Sequence, residues 1–154
     1  MSTQADYTPD EWNVLVHAPA QASMLVVNAD KSGGLTGTFG VIQETKDARK
    51  AVEKAANGAD VPLVRTTAQS LLDEASWRPL IEGATPEKVT QYLQQASHIL
   101  KAKASPDEGV AYRKYLYSIA TSTASAAKES SDRQTSDKEK VALQQIANMI
   151  ELNG

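Results

Sequence analysis

The sequence predicts an all-α protein, a compact bundle of six or seven helices, and three observations carry that expectation. First, helix-start signals recur. Thr8-Pro9-Asp10-Glu11, Ser105-Pro106-Asp107-Glu108 and Ser136-Asp137-Lys138-Glu139 each set a hydroxyl at the N-cap and an acid at the third helical position. Thr85-Pro86-Glu87-Lys88 is a relative without that acid. In such a box the hydroxyl accepts a free backbone N–H and the acid reaches back to the cap's own N–H. Each cap contributes about 1 kcal/mol. Second, the apolar residues after each start recur at helical spacing. Third, no stretch alternates β-branched residues over more than a few positions, as a strand would.

Taken in order, residues 1–7 are polar and precede the first start, so they are expected to be a disordered tail before a single helical domain, residues 8–154. After Thr8, the residues Trp12, Leu15, Pro19, Ala22, Val26 and Ala29 share one stripe. Pro19 has no N–H to donate and its ring crowds the preceding turn. A short helix to about His17 is therefore expected, then a kink or break, then a second segment to about Asp30. Lys31-Ser32-Gly33-Gly34 ends it. Residues 36–39 open the next helix, with Val41, Ala48, Val52 and Ala55 inward, and Asn57-Gly58 closes it in the usual C-terminal manner.

Pro62, after Asp60-Val61, opens a helix carrying Leu63, Leu71, Leu72 and Ala75, which Trp77-Arg78-Pro79 breaks. The helix after Thr85 presents Val89, Leu93, Ala96 and Leu100; the one after Ser105 presents Tyr112, Leu116, Ile119, Thr123 and Ala127. A polar loop over 129–136 leads to a last helix with Leu143, Ile146, Met149 and Ile150. Residues 8–31 can be laid on 105–128 without a gap, Thr8 on Ser105 and Lys31 on Lys128. Two similar halves is one reading of this; two independently capped helices is the other.

Composition bounds the function. The chain has 154 residues, 41% hydrophobic but only 5% aromatic. That suits one domain with a core of Ala, Val, Leu and Ile. The net charge of -3 comes without a basic stripe, which argues against nucleic acid and against an anionic membrane surface. No apolar run approaches the roughly 20 residues of a membrane span. There is no cysteine, so disulfides, thiol catalysis and thiolate metal sites are excluded. Met1–Asp10 lacks an apolar signal core, and a cytoplasmic location is the default expectation.

Few residues suggest chemistry. His17 and His98 belong to no HExxH pair and read as surface or core-edge side chains. Gly33–Gly40 is glycine-rich but has neither P-loop nor dinucleotide spacing, so it reads as a turn rather than a phosphate cradle. Lys46, Arg49, Lys50 and Lys54 alternate with Glu44, Asp47 and Glu53. They form either a solvated face, with Arg49 and Glu53 paired, or a patch for an acidic partner. Asp73-Glu74 and Asp107-Glu108 are adjacent acids, not two carboxylates converging across a cleft. Asp30, Glu44, Asp132 and Glu139 are oxygen donors suited to a hard cation, without an EF-hand loop. Tyr112, Tyr115 and Tyr117 cannot share one helix face. Tyr112 falls on the core stripe, and Tyr115 and Tyr117 flank it as candidates to meet a second helix or a partner.

Val26-Val27-Asn28-Ala29-Asp30 is followed by a Gly-containing turn. Later come Ser118-Ile119-Ala120, a polar loop, Ser136-Asp137-Lys138-Glu139 and Leu143-Gln144-Gln145-Ile146-Ala147. Over about two-thirds of the chain, these segments resemble the tellurite-resistance TerB-like helical family. The resemblance implies a bundle of two similar halves, a link to stress response, and a divalent metal held by acidic residues, with Asp30 from the first half and Glu139 from the second. The chain departs from the pattern in having Asp30-Lys31-Ser32-Gly33 in place of Asp-Gly, and Thr38-Phe39-Gly40-Val41 where Ser-x-x-Glu belongs. The expected function is a non-enzymatic cytoplasmic interaction or accessory protein without a cofactor, acting through a protein partner or self-association. The alternatives are a TerB-like metal- or small-ligand-binding protein, and an enzyme whose site is assembled from dispersed residues.

Overall fold

A computed structural model describes residues 3–29, 38–73, 85–131 and 137–150. Six α-helices run through them: α1 Pro9–Ala29, α2 Thr38–Gly58, α3 Pro62–Leu72, α4 Pro86–Lys103, α5 Pro106–Ser131 and α6 Asp137–Met149. No strand occurs among the described residues, so the chain is an all-α bundle as its start signals predict.

The caps form as the sequence dictates. Thr8 N–H donates to Glu11 Oε1 at 2.8 Å and Glu11 N–H donates to Thr8 Oγ1 at 3.1 Å. At α5, Ser105 N–H donates to Glu108 Oε1 at 3.1 Å and Glu108 N–H to Ser105 Oγ at 3.3 Å. Thr85 accepts from Lys88 N–H at 3.2 Å. Ser136 lies outside the described residues, and α6 begins at Asp137 next to it. Helix ends are closed by side chains from neighbours: Arg49 Nη2 donates to the Leu72 carbonyl at the end of α3, and Gln69 Nε2 to Ala56 near the end of α2.

Three expectations need correction. Residues 3–7 are not a free tail: Gln4–Asp6 form a 3-10 turn, Thr3 N–H is tied to the Asp6 carboxylate, and Tyr7 is buried beside Trp12 with ring centroids 5.9 Å apart. The apolar ring supplies the anchoring that the polar composition hid. Residues 129–131, expected in a loop, belong to α5, which continues to Ser131, and residues 132–136 lie outside the described residues. The third correction is Pro19, which does not break α1.

α1 is interior over most of its length. Leu15, Val16, Ala18, Pro19, Ala20, Gln21, Ala22, Ser23, Met24 and Val26 are all buried, so every side of the helix faces protein. α1 and α5 each pack against all five other helices. These two central helices are also the segments that align in sequence. The alanines let neighbours approach α1 closely, and Leu63, Leu71, Leu93, Leu116, Ile119 and Ile146 fill the space between.

Within that core, Pro19 deprives the Leu15 carbonyl of its i+4 donor. A buried carbonyl without a partner costs about 1–3 kcal/mol, and solvent cannot reach this one. The Tyr112 hydroxyl of α5 donates to it, 2.5 Å away and 97 residues downstream. Tyr112 is 1% exposed. Burial, with a smaller contribution from nearby Tyr115, pushes its hydroxyl pKa well above the ordinary value, so it remains a donor. The helix passes through Pro19 because another helix supplies the missing hydrogen.

Two outcomes are expected. Tyr112→Phe lowers stability by about 1–3 kcal/mol in denaturant unfolding. The loss is smaller when Pro19→Ala is also present, because alanine at that position restores an N–H for the Leu15 carbonyl. Equal losses in both backgrounds would show that the hydroxyl does not replace the proline's missing donor. The second concerns Glu11, which also takes Lys103 Nζ at 2.5 Å across to α4. That bond, then the Thr8 backbone N–H, holds the Glu11 pKa below 4.5. A depressed folded-state pKa gives stability that is present above the unfolded value and lost as pH falls through the folded one. The melting-temperature gap between wild type and Glu11→Gln therefore stays constant at pH values above the ordinary carboxylate range and narrows as pH falls through that range and below it.

Candidate functional site

α5 carries the tyrosines and shows two distinct faces. The inner face is Glu108, Tyr112, Tyr115, Leu116, Ile119 and Ala120, all buried. Tyr115 is therefore not an exposed interface residue. It is 6% exposed and meets the Tyr112 ring edge-on, at 5.9 Å and 72°. Its period places it one step from Tyr112 around the helix, which in an interior helix is still core. Its hydroxyl is buried without a hydrogen-bond partner, and burial raises its pKa.

The outer face is Val110, Arg113, Lys114 and Tyr117, spaced three, one and three residues apart, so they are neighbours along one side. Val110 is 47% exposed, Lys114 is exposed, and Arg113 and Tyr117 are partly buried. Tyr117 rests its inner edge on the core. Arg113 folds back one turn over Gly109. A Cβ at position 109 would lie 2.8 Å from Arg113 Nη1 and 3.7 Å from its Cζ, and would meet no other side chain of the described residues within 4 Å. Arg113 Nε is buried and has no hydrogen-bond partner. Sequence spacing marked Tyr117, but it gave no sign of Arg113, whose role depends on the glycine beneath it.

The acidic candidates for a metal fall outside what the structure describes. Asp30 and Asp132 lie outside the described residues; Glu44 and Glu139 belong to α2 and α6, with side chains outside the description. Among the described residues no group of three or more His, Cys, Asp or Glu gathers to hold a metal. His17 is partly buried on α1 and His98 is exposed on α4. Lys50, Glu53 and Lys54 are exposed on α2, as a solvated face requires, while Arg49 turns to cap α3. Asp73 is the C-cap of α3, and Glu108 is occupied in the α5 cap. Residues 33–37 of the glycine-rich turn are outside the description. No helix among the described residues is long and apolar enough to cross a membrane.

Comparison with family models, curated proteins and solved structures returns no match.

The two buried tyrosines predict opposite outcomes for the same substitution. Tyr115→Phe removes a hydroxyl that burial leaves unpaired, so it is neutral or stabilising by up to about 1 kcal/mol in chemical denaturation, unlike Tyr112→Phe. A loss comparable with that of Tyr112→Phe would contradict this assignment.

Proposed function

We propose that the chain is a non-enzymatic, cytoplasmic interaction protein that meets a protein partner through the outer face of α5. The observation that supports this is the grouping of Val110, Arg113, Lys114 and Tyr117 on one exposed side. A single exposed valine is ordinary. A valine beside a partly exposed tyrosine and arginine is a different surface, because aromatic residues and Arg are the types enriched where proteins bury contact area. The polar groups with shifted pKa values have structural employment or lie in the core: Glu11 caps α1 and bridges to Lys103, Tyr112 serves Leu15, and Tyr115 packs on Tyr112. What α5 leaves outside is contact surface.

A photo-crosslinking amino acid placed at Tyr117 or at Val110 in the expressed full chain is expected to trap protein adducts that the same group at Gln94, exposed on α4, does not. Equal adducts at all three positions, or none at Tyr117, would sink the proposal. A rise in melting temperature with millimolar calcium or manganese, which binding to the folded form produces, would favour the metal-binding alternative instead.

A further inference from the structure

We infer that Arg113 is the receiver for a carboxylate, and that the partner segment covering α5 is acidic, with an apolar side chain seated against Val110 and Tyr117. The inference rests on reading the outer face of α5 as partner-facing, and adds the chemistry of what sits there. A guanidinium is a planar fork of N–H donors matched to the two oxygens of a carboxylate. Partly buried charge is unfavourable until it is paired. Arg113 is partly buried, and its Nε is enclosed with no hydrogen-bond partner among the described residues.

Gly109 is the second observation. Glycine inside a helix is less stable than alanine, through chain entropy and lost propensity. Among the described residues, only the Arg113 guanidinium occupies the space that an alanine methyl would take. α5 therefore leaves out a side chain where this cation lies, and the guanidinium folds back over that position. Lys114 adds a second positive charge on the same side. Of the acids at the start of α5, Glu108 is buried in the cap and Asp107 lies at the far N-terminal end of the stripe. Two cations between a valine and a tyrosine complement an acidic, partly apolar segment and repel a basic one.

The test uses random peptides displayed on phage, selected on the full-length chain, and measures the affinity of the enriched peptides by titration. Enriched peptides should carry Asp or Glu close to Leu, Ile or Phe. Arg113→Gln and Gly109→Ala should each weaken them by about tenfold, with Arg113→Lys between. Gly109→Ala should melt at or above the wild-type temperature, which separates displacement of the guanidinium from damage to the fold. Neutral or basic peptides that ignore Arg113→Gln but are lost in Tyr117→Ala would overturn the carboxylate receiver and leave the α5 face standing. Peptides indifferent to both substitutions, or no enrichment at all, would overturn both readings. A dimer seen by light scattering and abolished by Arg113→Gln would replace the acidic segment with a second copy of the chain.

Discussion

The Tyr112 hydroxyl on the Leu15 carbonyl is the contact on which this arrangement turns. Every side of α1 from Leu15 to Val26 faces protein, so a carbonyl orphaned by Pro19 has no access to water. A helix broken at that point would put several more unpaired backbone groups into the core. One hydroxyl from α5 removes the difficulty and ties the two central helices at a defined height. It also sets the rotation of α5. With Tyr112 turned inward, Tyr115, Leu116 and Ile119 follow it into the core, and Val110, Arg113, Lys114 and Tyr117 are left outside by helical geometry. The interior bond and the exposed face are two consequences of one orientation.

Stability elsewhere is assembled from helix ends. Thr8 and Ser105 each close a reciprocal box, and the acid of the first box also reaches Lys103 on α4. Arg49 and Gln69 exchange end-capping between α2 and α3. A core rich in alanine buries less apolar area per residue than one rich in leucine and phenylalanine, so satisfied termini carry more of the specificity: they define where each helix starts and which neighbour it touches.

Gly109 and Arg113 run against that pattern. Like Pro19 in α1, they set a local preference against the fold. Here a poor helix former sits inside α5, and a guanidinium lies over it whose Nε has no hydrogen-bond partner among the described residues. Departures from local consistency are where function is to be sought.

The helix starts, the stopping point of α2 at Asn57-Gly58, the inward stripes and the all-α class were all legible in the chain, because capping and amphipathic periodicity act over three or four residues. Tyr117 was legible as a flank of its stripe for the same reason. Three features were decided only by the tertiary structure. Pro19 reads as a break until a hydroxyl 97 residues away is brought to Leu15. Tyr115 reads as a flank that meets either a second helix or a partner until α5 is enclosed by its neighbours. Arg113 belongs to no motif in the chain, and its place over Gly109 emerges only in the fold. Each depends on a side chain's surroundings in space, and local periodicity carries no information about those.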